Sequence, residues 1–501
     1  MSTPSFALIG AVNHGKSSIV ATLVEDDQIG ISGDPGQTVE SQRFDCRGAE
    51  LTVWDTPGFQ NPRDMLAEIR AAAEAASNPL DAFRDFASRH ASAGAFHAER
   101  ELLRPLFYGA CVLYVIDTSR PLRKSHEAEM EQLRLTGLPR LAILNPTGPA
   151  EHEREWRAKL GQQFNAVHEF NAHEAGGTHR ASLLRTMATV ADEWRDELVA
   201  AARKVEAEWA SRLEESAQAM IELLGKGIAH TRNAAVAPGE DKTAAVESLK
   251  STFHQDLCRF EQETHAKLRN LFRHRRVVIE AEQQLPVGDD LLEGETWKVF
   301  GLSWQMLLTA GAVTGAVAGA AAGVAGEAVV PSGIATATGA SVGALVGATA
   351  FVVTGKAVAQ PSVKEEVDGG GLRSFFSSLG QKTAGMLSGT GTRITVGPLE
   401  SKNFPYILLD RAMVVVWYLA SRAHAKRDNV HVDPAVLKES LDSIKASTQH
   451  WPEELRLACG SYVRAVAKQA PAAEPTAKFR SLLVAHLKSV CGQPFVAKTA
   501  S

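Results

Sequence analysis

A chain of 501 residues, 45% hydrophobic and 22% charged, is globular and too long for one ordinary domain. A net charge of −5 gives no reason to expect nucleic acid as a main partner. Five scattered cysteines (Cys46, Cys111, Cys258, Cys459, Cys491) lack both metal-ligand spacing and the even count of a disulfide framework, which points to buried thiols in a reducing compartment. The N-terminus reads directly into a strand, with no leader pattern expected.

Ser5 to Val12 reads as a buried strand and Ser18 to Val24 as a helix. Between them, Gly10-Ala11-Val12-Asn13-His14-Gly15-Lys16-Ser17 fits G-x-x-x-x-G-K-[ST] in its strand–loop–helix setting. The glycines let backbone N–H groups curl around a di- or triphosphate, and the helix N-terminus adds partial positive charge. The expected phosphate contacts are Gly10, Asn13, His14, Gly15, Lys16, Ser17 and Ser18. Lys16 would lie against the β- and γ-phosphates and Ser17 would hold Mg²⁺.

Ile29 to Thr38 is a glycine-containing loop whose terminal Thr38 suits a nucleotide-sensing switch closing on Mg²⁺. Glu50 to Trp54 reads as a strand running into Asp55-Thr56-Pro57-Gly58. There Asp55 can orient Mg²⁺ and the Gly58 N–H can meet a γ-phosphate. Ser17, Thr38 and Asp55 form the expected metal set; Lys16, Thr38 and Gly58 are the expected catalytic residues. Residues 64–107 are a helix-compatible insert after this motif, read either as a transmitter of nucleotide state or as a surface elaboration. Strands at Gly109–Asp117, Leu141–Leu144 and Asn165–Phe170 continue a buried parallel pattern.

These motifs resemble the Era/TrmE branch of translation-factor-related GTPases. The resemblance rests on Gly10-x-x-Asn13-x-Gly15-Lys16-Ser17-Ser18, Pro35-Gly36-x-Thr38 and Asp55-Thr56-Pro57-Gly58. It implies binding of GTP and GDP with Mg²⁺, and a potassium ion held with the help of Asn13, which joins the expected catalytic residues on that ground. Phe59 stands where many such GTPases keep a water-orienting Gln, so slow intrinsic hydrolysis is expected. Asn145-Pro146-Thr147-Gly148 stands where the branch has Asn-Lys-x-Asp. Asn145 keeps the base-contact position, and the missing Asp puts guanine selectivity in doubt. Asn171-Ala172-His173 is a weak match to the family's Ser-Ala-Lys.

From Ser182 to Ala234, apolar residues including Met187, Trp194, Leu198, Val205, Leu213 and Leu224 recur at helical spacing, predicting one long amphipathic helix kinked at Gly225 and Gly227. A second helix is predicted over Asp241–Arg276, closing in the basic run Arg273-His274-Arg275-Arg276, read as a solvated end or a contact for acidic lipid. Val299–Gly326 and Ala328–Gly355 carry no charge, each about 28 residues long, enough to cross a bilayer. Their glycines fall every fourth residue (Gly311, Gly315, Gly319, Gly323; Gly339, Gly343, Gly347), and Pro331-Ser332-Gly333 makes the turn. A membrane hairpin and a hairpin packed inside protein are both compatible with this. Residues 362–391 read as a polar connector. An apolar core helix starts at Asn403, and amphipathic helices follow to Cys491.

The expected fold is α/β: a P-loop GTPase domain with a parallel-dominated sheet over residues 1–180, a helical stalk over 181–298, a glycine-zipper hairpin over 299–359 and a C-terminal helical domain over 360–501. As a whole the chain is similar to a bacterial family that joins an Era-like GTPase to an all-helical domain of unknown function with a glycine-rich hairpin. The expected function is a GTP-hydrolysing switch at the cytoplasmic face of the inner membrane. Expected partners are guanine nucleotide, membrane lipid and a second copy of the chain through the GTPase domain, with no nucleic acid. A dynamin-like membrane remodeller and a nucleotide-gated pore are the alternatives.

Overall fold

The computed structural model describes residues 3–29, 38–46, 48–92, 94, 96–173, 175–237, 239–275, 277, 361–367, 392–399, 404–425 and 448–491. The hairpin expected over 299–359 lies outside them, as does the loop 30–37. The first half alternates strands and helices: β1 (Ser5–Ile9), α1 (Lys16–Val24), β2 (Gln42–Cys46), β3 (Leu51–Asp55), α2 (Pro62–Ala75), α3 (Pro79–Arg89), α4 (His97–Phe107), β4 (Cys111–Ile116), α5 (Lys124–Leu135), β5 (Arg140–Leu144), α6 (Glu153–Leu160) and β6 (Ala166–Glu169). One six-stranded sheet has the order β2-β3-β1-β4-β5-β6. It is parallel except for β2, which pairs antiparallel with β3 as an edge. β2 (QRFDC) is mostly exposed and too polar to announce itself as a strand.

Alternate residues of the buried strands supply two apolar layers. Phe6, Leu8, Val53, Leu113, Val115 and Ile143 face α1 and the following helix, α7 (Gly177–Val190). Ala7, Ile9, Val112, Tyr114, Ala142 and Leu144 face α2 to α6. The register sets Leu8 beside both Asp55 and Leu113, so the carboxyl ends of β1, β3 and β4 open onto one crevice. The expected insert is α2, α3 and α4, which extend this second layer.

The long single helix expected from Ser182 is not formed. α7 stops at Val190, a 3₁₀ turn covers Asp192–Trp194, and α8 (Arg195–Ala229) runs back along α7. Trp194, which looks like one more residue of a stripe, is buried against Phe6 with ring centroids 5.9 Å apart. Burying that ring in the core of the sheet domain forces the turn. α8 continues unbroken past the expected kinks at Gly225 and Gly227. An added Cβ at Gly225 would lie 2.6 Å from the Tyr462 hydroxyl, and one at Gly227 3.0 Å from Leu408, so these glycines serve close helix approach.

α8 is no free stalk. Leu198, Ala202 and Val205 belong to the core of the sheet domain, whereas Leu213, Met220 and Leu224 belong to a separate core. At about 1.5 Å per residue this helix is a rod of roughly 50 Å shared by both. The second core is built with α9 (Lys242–Leu271), α10 (Phe404–Ser421), α11 (Glu453–Ala467) and α12 (Ala473–Cys491). α10 is long and apolar enough to cross a membrane, but most of it is buried in protein, as expected of a core helix.

The C-terminal region is helical but not wholly so. β7 (Arg232–Val236), β8 (Pro361–Val367) and β9 (Thr392–Leu399) form an antiparallel sheet in the order β7-β9-β8. The connector reading of 362–391 is therefore corrected at its start, where β8 pairs with β9. Nothing in the composition of KEEV announces a strand; the pairing with β9 supplies its hydrogen bonds.

Candidate functional site

The strand–loop–helix motif closes where β1 meets α1. Gly10 (φ 154°) and Gly15 (φ 85°) adopt left-handed backbone, and a Cβ would run into the Val115 carbonyl at the first and the Asn145 side chain at the second. Asn13 also turns left-handed (φ 63°), leaving its side chain exposed over the loop. No side chain caps the start of α1, so its first N–H groups remain available to an anion. Ser18 is buried behind Ser17.

Lys16 Nζ donates to the carbonyls of Gly10 at 3.2 Å and Ala11 at 3.0 Å. Burial draws the Lys16 pKa down to about 8, with Asp55 and Glu129 pulling the other way. An ammonium so desolvated gains from an incoming phosphate.

Three oxygens converge beside it. The Ser17 hydroxyl donates to Asp55 Oδ2 at 2.6 Å, the Thr38 hydroxyl donates to the same oxygen at 3.2 Å, and the two hydroxyls lie 3.5 Å apart. Burial raises the Asp55 pKa, opposed by Ser17, Lys16 and Thr38. Its other oxygen, Oδ1, is buried without a partner. A buried carboxylate oxygen left unsatisfied next to two hydroxyls fits a hard divalent cation such as Mg²⁺. Thr38 is brought to the site across a loop that lies outside the described residues.

Gly58 lies directly on the phosphate loop: an added Cβ would be 2.6 Å from the Val12 nitrogen. The next amide, Phe59 N–H, donates to the Gly10 carbonyl at 3.3 Å. The Phe59 ring is buried in the apolar layer under the sheet, so it is a packing residue.

Asn145 and His14 act through the loop rather than on its outer surface. Asn145 Nδ2 donates to the His14 carbonyl at 3.0 Å, and its Oδ1 accepts the Ala172 N–H at 3.0 Å, tying Asn171-Ala172-His173 to the phosphate loop. The buried His14 ring accepts the Asp117 N–H at 3.4 Å. Burial, then His126 and Lys16, push its pKa down to about 3, so it is neutral.

Sequence reasoning passed over Asp117, which follows directly on β4 much as Asp55 ends β3. Its carboxylate accepts the Ser119 hydroxyl at 2.6 Å and the Thr147 hydroxyl at 2.7 Å, together with both backbone N–H groups. Burial works upward on its pKa, but these hydrogen bonds bring it below the usual range. The unusual loop Asn145-Pro146-Thr147-Gly148 is thus held by Asp117. The signal was an acid at the end of an apolar strand.

The basic run after α9 is not a free helix end. Arg273 Nη1 donates to Glu25 at 2.5 Å, the Arg275 N–H donates to Asp27 at 2.9 Å, and the buried His274 ring meets the Leu419 carbonyl at 3.0 Å. The reading of this run as a solvated end or lipid contact is corrected for Arg273 and His274, whereas Arg275, held by its backbone N–H, keeps an exposed side chain. Arg276 lies outside the described residues.

The family described as a domain of unknown function (DUF3482) matches residues 157–480, and the family described as a 50S ribosome-binding GTPase matches residues 5–145. No curated protein matches the chain. Among solved structures, it is similar to Era of Aquifex aeolicus bound to GDP·AlF4⁻, at 13% identity over 54% of this chain and 90% of that one, with a TM-score of 0.26. It is also similar to Era in complex with MgGDPNP and nucleotides 1506–1542 of 16S ribosomal RNA, at 13% identity over 54% and 89%, TM-score 0.26. An NFeoB variant of S. thermophilus bound to GMPPNP gives 17% identity over 54% and 89%, TM-score 0.21.

Proposed function

The chain belongs to the family described as a domain of unknown function (DUF3482), with a P-loop GTPase domain at its N-terminus, and from that premise we propose that it is a GTP-hydrolysing switch of the Era/TrmE type. The observation that carries the proposal is the convergence of Ser17, Thr38 and Asp55 on one point beside Lys16. Ser17, Thr38 and Asp55 would hold Mg²⁺, which neutralises phosphate charge when bound. Lys16 would leave the carbonyls of Gly10 and Ala11 for the β- and γ-phosphates. The Gly58 N–H, held against Val12, would report the γ-phosphate to the segment after it. With Phe59 buried, no side chain at that position orients water, which supports slow hydrolysis. Asn13, exposed on the loop, would contribute an oxygen to a potassium ion.

The uncharged runs 299–326 and 328–355 support coupling of this switch to lipid at the cytoplasmic face of a membrane. Flotation of the full chain with liposomes checks that extension. Recovery of all the protein in the soluble fraction would remove it.

Calorimetry with GDP, GTP, ADP and ATP in Mg²⁺, on wild type and Lys16→Ala, tests the central reading. Micromolar guanine binding lost in the variant is expected. Equal adenine binding would mean that the loop held by Asp117 has changed the base, and absence of binding would end the switch reading.

A further inference from the structure

Helix α4 lies outside the phosphate site yet holds the segments on both sides of it. Glu99, in its first turn, is fully buried. Its Oε1 accepts the Gln60 N–H at 2.8 Å and the Asn61 N–H at 2.5 Å. These amides come immediately after Gly58 and Phe59. Two residues along the helix, Glu101 Oε2 accepts the Ser41 N–H at 3.1 Å, and the Glu101 carbonyl accepts the Ser41 hydroxyl at 2.5 Å. Ser41 follows closely on Thr38.

Residues i and i+2 of a helix point to different sides. α4 is therefore wedged between the two segments, gripping one with each carboxylate. Burying a carboxylate is costly unless its hydrogen bonds compensate. Glu99 spends one oxygen on two backbone amides and leaves Oε2 buried without a partner. A loop N–H pair has no need of such an acceptor if water will serve. A fixed acceptor matters where the backbone itself must stay in place, and here that backbone is continuous with the Gly58 N–H.

We infer that α4 brackets the two nucleotide-responsive segments together, with Glu99 the positioning residue that fixes the backbone after Gly58 for hydrolysis. The inference rests on the GTPase reading and deepens it. It assigns the insert a role inside the switch: movement of Thr38 reaches Gly58 through Ser41, Glu101, Glu99 and Gln60. GDP does not use the γ-phosphate side, so its binding is independent of this bracket.

The test uses the full chain, with single-turnover GTP hydrolysis, GDP affinity and amide exchange measured on wild type, Glu99→Ala and Glu99→Gln. Glu99→Ala is expected to slow hydrolysis about tenfold or more and leave GDP affinity within about twofold, whereas Glu99→Gln, which keeps a carbonyl acceptor, recovers most of the rate. Exchange at Gln60 and Asn61 should rise in Glu99→Ala alone. A wild-type rate in Glu99→Ala, or equal losses in both variants, overturns the bracket and leaves the GTPase reading standing. Absence of hydrolysis by wild type overturns the GTPase reading itself. Should Glu99→Ala fail to fold, Ser41→Ala decides. It is expected to lower affinity for a non-hydrolysable GTP analogue severalfold relative to GDP, and an unchanged ratio overturns the bracket.

Discussion

Glu25, at the end of the helix that begins with Lys16, receives both terminal nitrogens of Arg212 at 2.6 and 2.7 Å across 187 positions of sequence. Arg180 of α7 and Arg273 after α9 reach the same carboxylate. Burial would raise the Glu25 pKa, but Arg212 and Arg180 hold it well below the usual carboxylate range. The phosphate-binding helix is thus moored to three elements of the DUF3482 region by one side chain.

Breaking that mooring should be costly. Arg212→Met leaves Glu25 short of its bidentate partner and is expected to lower unfolding free energy by about 3 kcal/mol. Adding Glu25→Leu should deepen the loss, because Arg180 and Arg273 then face no carboxylate. Urea denaturation of the single and paired variants measures both. A loss well under 1 kcal/mol in Arg212→Met would show that the hub contributes little.

Acid should loosen the same joint. The rings of His274 and His424 stack with centroids 4.4 Å apart beside Glu25 and its arginines. Burial and the neighbouring His274 push the His424 pKa down to about 3, from 6.5. The unfolded chain then binds a proton that the folded chain refuses, so stability falls as pH drops below 6.5. At pH 5 this one ring contributes a loss of ~2 kcal/mol. His424→Leu should flatten the fall in melting temperature between pH 7 and pH 5, and an unchanged slope would rule the ring out.

Asp55→Asn removes the charge that the hydroxyls of Ser17 and Thr38 face. Nucleotide affinity without Mg²⁺ should change little, since Lys16 and the loop amides remain. The gain on adding Mg²⁺ should shrink about tenfold. Titration with and without EDTA gives the comparison, and an undiminished gain would place the cation elsewhere.

Gly58→Ala puts a Cβ 2.6 Å from the Val12 nitrogen, and backbone on both sides leaves no flexible group to give way. The variant should fold and bind GDP, yet lose hydrolysis by about tenfold or more because the Gly58 segment can no longer lie on the phosphate loop. Hydrolysis at the wild-type rate would show that this contact is not needed.

The phosphate site was legible in the chain because its chemistry is local. A glycine loop, Lys16 and Ser17 are adjacent, and Asp55 with Gly58 ends a strand whose apolar pattern is plain. α10 was equally plain, since an uninterrupted apolar run from Phe404 has only a core or a membrane to enter. The turn at Trp194 was not, because an aromatic residue in register with a stripe looks the same whether it faces one core or two. β8 carries no signal of its own and becomes a strand by pairing with β9, which also pairs with β7.

The amino-acid sequence by itself determined the chemistry gathered at the glycine loop: the Lys16 ammonium, the Ser17 and Thr38 hydroxyls and the Asp55 carboxylate. Only the tertiary structure decided how that chemistry is held. Glu25, Glu99 and Asp117 are unremarkable acids until folding removes water from around them. Glu25 and Glu99 then take partners far away in the chain, Arg212 lying 187 positions from Glu25, and Asp117 adds Thr147, 30 positions on, to its neighbour Ser119. A buried charge must be satisfied by whatever the packing brings to it, and linear spacing does not encode that.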